Sequence, residues 1–120
     1  DLIAKLQTPL VSCPTSVSQK ACLAALEGPQ QPVYDMLKVY RERRDVAIEI
    51  LKNSGHYLYT PSGAFYILID ISGTGMNSDD FALTLLKEKK VAVAPGETFG
   101  NTTSSFVRVS FTTDIDKLIE

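Results

Sequence analysis

Apolar and polar positions run along this chain with two different periods, and the switches between them mark out its elements. Asp1 to Leu6 is a short amphipathic piece, and Thr8 to Ser16, interrupted by Pro9 and Pro14, reads as a loop. Ser16-x-x-Gln19 has the form of a capping box, in which two side chains satisfy the first free N–H groups of a helix. That helix runs to about Glu27 and stops at Gly28-Pro29. Its inner residues Ala21, Cys22, Ala24 and Ala25 are small and suit close approach by a neighbouring backbone. Pro32 fits the first position of the next helix, where its missing N–H is not needed. Val33, Met36, Leu37, Tyr40, Ala47, Ile50 and Leu51 then recur close to the helical period. Lys38–Glu42 and Arg41–Asp45 fall as i,i+4 pairs on the polar side. Gly55 supplies the left-handed cap of an element about 22 residues and ~33 Å long.

The period then shortens. His56 to Thr60 is β-prone, Pro61-Ser62-Gly63 is a turn, and Ala64 to Ile71 is a strand that is nearly all apolar or aromatic. After a Gly-rich loop, Ser72 to Asn77, a third helix capped by Asn77 or Ser78 runs to about Lys90. Val91 to Ala94 is a short strand ending at Pro95-Gly96, Gly100 to Ser105 a polar loop, and Phe106 to Phe111 the last strand. Thr113-x-x-Asp116 opens a terminal helix. Helices and strands are partly segregated, which predicts an α+β fold of two layers rather than a doubly wound parallel sheet.

Composition narrows the classes of function. The length of 120 residues suits one domain with a real core. Twelve basic and fourteen acidic residues leave a formal charge of −2, and the one basic cluster is Arg41, Arg43 and Arg44, which does not suggest nucleic acid. No apolar run approaches the ~20 residues of a membrane helix. Two cysteines, Cys13 and Cys22, are too few for a disulfide framework, and reduced cytosolic thiols are the expectation. No secretory signal is visible, and a chain opening at Asp1 reads as a piece of a longer protein.

One residue stands out. Alternation along the last strand puts Val107, Val109 and Phe111 on one face and Phe106, Arg108 and Ser110 on the other. An arginine in mid-strand, sharing a face with an aromatic ring, is costly to bury without an anion. Its planar fork matches a carboxylate through two parallel hydrogen bonds. The plainer reading is that it reaches water or pairs with a local acid. The other candidates carry less. His56 is the sole histidine, at the start of a β-prone run. Asp79-Asp80 sits in a helix first turn, where acids favour the dipole rather than a metal. Ser72-Gly73-Thr74-Gly75 lacks the spacing of a phosphate-binding loop.

Read together, several segments resemble one family. Val91-Ala92-Val93-Ala94-Pro95-Gly96-Glu97-Thr98-Phe99-Gly100 followed by Phe106-Val107-Arg108-Val109-Ser110-Phe111 is similar to the C-terminal signature of class I and II aminotransferases. These are fold type I pyridoxal-phosphate enzymes of the aspartate aminotransferase kind. Pro61-Ser62-Gly63-Ala64-Phe65-Tyr66 resembles their Pro-x-Gly-x-Phe turn, Tyr40-Arg41-Glu42-Arg43-Arg44-Asp45 their Tyr-x-x-Arg-Arg-Asp helix, and Ser12 to Ala21 the stretch leaving the large domain. The matches are in order and cover nearly the whole chain.

The resemblance implies that 16–120 form the C-terminal small domain, helices on a small, mostly antiparallel sheet, and that 1–15 are the tail of the large domain and its linker. It implies that Arg108 grips the substrate α-carboxylate and that Phe65 lies near the substrate cleft. The cofactor of the intact enzyme would be pyridoxal 5'-phosphate, its substrates an L-amino acid and a 2-oxo acid, its assembly a cytoplasmic homodimer. The family carries its cofactor as a Schiff base on a lysine in Ser-x-x-Lys, and no Ser-x-x-Lys occurs here. No catalytic residue, no metal and no firmly bound cofactor are therefore expected of these residues alone. Alternatives are an aminotransferase-like lyase, synthase or transcription regulator, and a non-enzymatic amino-acid-binding domain.

Overall fold

The computed structural model describes every residue from Asp1 to Glu120. It divides into two compact units, Asp1–Met36 and Leu37–Glu120.

In the first unit, α1 spans Leu2–Leu10 and is capped by the Asp1 carboxylate, which accepts from the Ile3 N–H at 3.0 Å. The expected loop from Thr8 therefore begins later. Pro9 lies in the last turn, where its missing donor costs a single bond, and the helix closes with the Val11 and Ser12 N–H groups both on the Gln7 carbonyl. Ser12 then takes a left-handed conformation, φ +62°. α2 spans Ser16–Glu27, but its cap is Thr15, one residue before the expected one. Thr15 has the extended backbone of a cap and its hydroxyl accepts from the Ser18 N–H, while the Gln19 amide donates to the Pro14 carbonyl. The Ser16–Gln19 box is thus not made. Cys13 and Cys22 are free.

α3 spans Gln31–Asn53, with Pro32 in its first turn and Gly55 left-handed just beyond it. The expected Arg41–Asp45 pair does not form, because the Asp45 carboxylate is taken by the neighbouring Arg44 at 2.7 Å. Arg43 instead reaches from α3 to the far end of the chain, donating to the Thr112 carbonyl and the Asp114 carboxylate. His56 to Thr60 is not a strand. The turn at Gly55 lets the His56 N–H bond back to the Leu51 carbonyl, and the segment joins no ladder, meeting the outer edge of β1 only through the Tyr59 hydroxyl.

The sheet has three strands, β1 (Tyr66–Asp70), β2 (Ala94–Pro95) and β3 (Phe106–Ser110), in the order β1-β3-β2 with both pairings antiparallel. β2 is shorter than expected, since only Ala94 and Pro95 find partners, Arg108 and Val107. Pro95, with no N–H, is tolerated on this outer strand. α4 spans Ser78–Lys89 under an Asn77 cap, and α5 spans Ile115–Ile119. One-turn 3-10 helices occupy Ser72–Thr74, Gly96–Phe99 and Asn101–Thr103. The fold is α+β, with helices layered on an antiparallel sheet.

The alternation along β3 holds. Val107 and Phe111 are almost wholly buried, and Val109 packs with Ile67 and Ile69 of β1 against Ile48 and Leu51 of α3. That apolar face faces the helices, so Arg108 is left on the opposite face of the same strand.

Below β1, the Asp70 carboxylate accepts from the Ser72 N–H at 2.8 Å. Hydrogen bonds from the Ser72 backbone, then its hydroxyl, hold the Asp70 carboxyl below the ordinary aspartate value, and the charge of His56 adds to this. The sign follows from linkage: a depressed folded value stabilises the fold above the unfolded pKa, and the gain is lost as pH falls through the folded one. Asp70→Asn should therefore flatten the acid limb of a stability–pH curve below about pH 4. Urea melts with an unchanged acid limb would contradict this.

Candidate active site

β3 carries Arg108 at its centre, opposite Leu68 of β1 on one side and Ala94 of β2 on the other. The bonded pairs of the β1–β3 ladder fall on odd residues, since the Phe111 N–H donates to the Phe65 carbonyl and the Ile71 N–H to that of Ser105. By alternation, Leu68 and Arg108 form a non-hydrogen-bonded pair, in which side chains stand closest. Tyr66 lies on the same face, two residues before Leu68. The Arg108 guanidinium carbon sits 4.9 Å from the centre of the Tyr66 ring and 4.5 Å from that of Phe99. Arg108 is half-buried and forms no ion pair with any carboxylate of the chain. Of the two plainer expectations, a local acidic partner is not met, whereas contact with water is open to the partly exposed side chain.

These side chains open onto a cavity of about 460 Å³. Its walls are the rings of Tyr59, Tyr66 and Phe99, the Leu68 side chain, and the turn Pro61-Ser62-Gly63. Arg108 is its one charged residue. A cation on aromatic faces with no counter-ion is poised for an anion that arrives from outside.

The turn that delivers Phe99 is fixed by close backbone packing. Gly96 is buried, and a Cβ there would collide with the carbonyl oxygens of Thr103 and Phe106. The Thr103 hydroxyl donates to the Gly96 carbonyl at 2.6 Å. Gly100, at φ +123°, turns the chain back towards β3 in a conformation that L side chains rarely adopt. From the other side, the fully buried Ser78 hydroxyl accepts from the Glu97 N–H at 3.2 Å. Ser78→Ala would strand that N–H, and a loss of about 2 kcal/mol in chemical denaturation is expected. A change within about 0.5 kcal/mol would show that the bond does not hold the turn.

Phe65 is not in the cavity wall. Its ring, about half exposed, packs edge-on against Tyr66 at 5.6 Å and stacks on Tyr40 of α3 at 6.1 Å. It therefore touches the site through Tyr66. Tyr59, Tyr66, Leu68 and Phe99 were not singled out from the sequence. Strand parity alone could have found Tyr66 and Leu68, whereas Tyr59 and Phe99 arrive from irregular segments. His56 is exposed, the Asp80 carboxylate accepts from the Asn77 amide in the α4 cap, and no cluster of three or more His, Cys, Asp or Glu gathers to hold a metal ion. No helix is long and apolar enough to cross a membrane.

The family model for aminotransferase class I and II matches residues 1–120. The chain belongs to this family. It is similar to the putative aminotransferase YugH of Bacillus subtilis, 37% identical over 120 residues, which are all of this chain and 31% of that protein. It is 39% identical to the aspartate aminotransferase of Musicola paradisiaca over 98% of its own length and 30% of the relative's. Among solved structures, it superposes on the aromatic aminotransferase from Pyrococcus horikoshii with a TM-score of 0.86 and 37% identity, covering 96% of this chain and 31% of that one. The chain thus spans just under a third of the length of these relatives.

Pyridoxal phosphate needs an amine for covalent attachment and a charged partner for its ring nitrogen. The walls around Arg108 hold no lysine and no acid, so by themselves they do not make a cofactor site.

Proposed function

We propose that 16–120 are the C-terminal small domain of an aminotransferase, with 1–15 the tail of its large domain and linker. On this reading the intact enzyme moves an amino group between an L-amino acid and a 2-oxo acid. It works as a cytoplasmic homodimer, and the residues that hold pyridoxal phosphate lie in other parts of the longer protein. The observation that carries the proposal is Arg108: unpaired, half-buried and facing an aromatic cavity, in a chain of this family.

The role of these residues is to bind and orient. The planar fork of Arg108 takes both oxygens of the substrate α-carboxylate, which fixes the rotation of the substrate about that group. The aromatic walls displace part of the water around the pair and so strengthen it. Phe65 serves the substrate cleft indirectly, by bracing Tyr66 from the α3 side. When bound, the cofactor supplies the electron sink for the chemistry at Cα.

The test is a panel of amino acids given to the full-length protein, with the carbonyl products identified. The expected result is a visible absorbance that changes with some amino acids, with the matching 2-oxo acid formed in equal amount and returned on adding a second oxo acid. Release of ammonia or sulfide instead would assign a lyase and overturn the transaminase reading. Absence of any product with every amino acid would leave only a binding role.

A further inference from the structure

The site described above rests on Arg108, but the arginine does not hold itself in place. It makes no ion pair and bonds to no backbone carbonyl. Its guanidinium carbon lies over two aromatic rings instead, Tyr66 at 4.9 Å and Phe99 at 4.5 Å. The sheet order places the sources of these rings on opposite flanks of β3. Tyr66 comes from β1, and Phe99 from the 3-10 turn that follows β2.

The chemistry of a guanidinium makes this arrangement directional. Its N–H donors lie in its plane and its faces have none. Rings therefore occupy the faces by cation–π attraction without consuming a donor, and the donating edge stays free. A local carboxylate would hold the side chain equally well but would fill the same edge a substrate needs. We propose that Tyr66 and Phe99 are positioning residues that keep the fork of Arg108 turned, unpaired, into the cavity.

The local structure fits that task. Phe65 packs edge-on against Tyr66 and stacks on Tyr40, so the Tyr66 ring is backed from α3. The Phe99 ring is carried by the segment that Gly96, Thr103 and Ser78 lock against β3 and α4. The Pro-Gly-x-x-Phe-Gly run of the sequence thereby has a physical purpose. Gly96 lets the turn approach β3, Gly100 reverses it, and Phe99 between them reaches the arginine.

This inference rests on the carboxylate role of Arg108, and the test separates the two. The full-length protein with its cofactor is titrated with 3-phenylpropionate, an unreactive monocarboxylate, by calorimetry. Phe99→Leu and Tyr66→Leu are each expected to weaken binding roughly tenfold. Phe99→Tyr and Tyr66→Phe, which keep a ring, should stay within about twofold. The Arg108 Nε–H proton resonance, shifted by the rings in the unaltered protein, should move towards the ordinary arginine position in both Leu variants and not in the ring-keeping ones. Leu variants that bind as well as the unaltered protein, while Arg108→Ala has lost binding, would overturn the positioning role and leave Arg108 in place. Binding unchanged in Arg108→Ala, or no binding by the unaltered protein, would overturn both. Equal losses in the Leu and ring-keeping variants would mean that packing, not the ring face, matters.

Discussion

Arg108→Ala in the full-length protein is expected to lower kcat/KM for amino-acid donors by on the order of a hundredfold, about 3 kcal/mol, with the fold unchanged. The size follows from what is removed. A carboxylate brought against the walls of Tyr59, Tyr66, Leu68 and Phe99 loses water, and Arg108 is the one charged group there to replace it. Without the arginine, the anion is desolvated and unpaired, which costs more than the pair itself contributes. Lysine should not rescue it. An ammonium is a point charge without the planar fork, and it stacks less well on the two rings. Stability should change by no more than about 1 kcal/mol, because the Arg108 side chain makes no hydrogen bond or ion pair within the fold and loses only its contacts with Tyr66 and Phe99. Steady-state kinetics with a denaturation control would check both halves of the expectation.

Gly96→Ala should cost the fold about 3 kcal/mol, a large effect for one methyl group. The atoms in its way are backbone carbonyls of Thr103 and Phe106, which cannot swing aside as the tip of a side chain could. Phe106 is the first residue of β3 and a near neighbour of Arg108, so relief of the clash moves the strand, the turn or both. Loss of activity should accompany loss of stability, because Phe99 travels with the turn. Gly63→Ala is the control: it lies in the cavity wall, but a Cβ there meets nothing within 4 Å. Its stability should stay within about 0.5 kcal/mol of the parent. Urea unfolding of the two variants would decide, and equal stability of Gly96→Ala would show that the turn has slack.

The parts of this fold legible in the sequence are those set by local periodicity. α3 shows its apolar stripe, β3 its alternation, and α4 its Asn77 cap, each within a residue or two of the observed ends. The face of Arg108 follows from parity alone. Competition between neighbours was harder to see. Thr15 and Ser16 are both good caps, and the extended backbone of Thr15 decides between them. Asp45 has two arginines in reach, and the adjacent one takes it. His56 to Thr60 has β propensity but makes no backbone bonds to the free edge of β1, and propensity without a ladder does not make a strand.

The site divides the same way. Arg108 could be picked out because a charge in mid-strand breaks a pattern. Phe65 carried a role through resemblance, yet it meets the cavity only through Tyr66. Phe99 gave no local signal, since its place depends on the contact of Gly96 with Thr103 and Phe106, which no short window displays. Tyr59 is similar: its hydroxyl accepts from the Leu68 N–H at 3.3 Å, a contact made because β1 has a free edge there.

The most direct test of the central claim pairs a residue with a substrate group. kcat/KM is measured for an amino acid and for its carboxamide, with the unaltered full-length protein and with Arg108→Ala. If Arg108 holds the α-carboxylate, the unaltered protein prefers the acid by on the order of a hundredfold, and the variant's preference falls to within about threefold. A preference for the acid that survives intact in Arg108→Ala would place the carboxylate elsewhere and contradict the account.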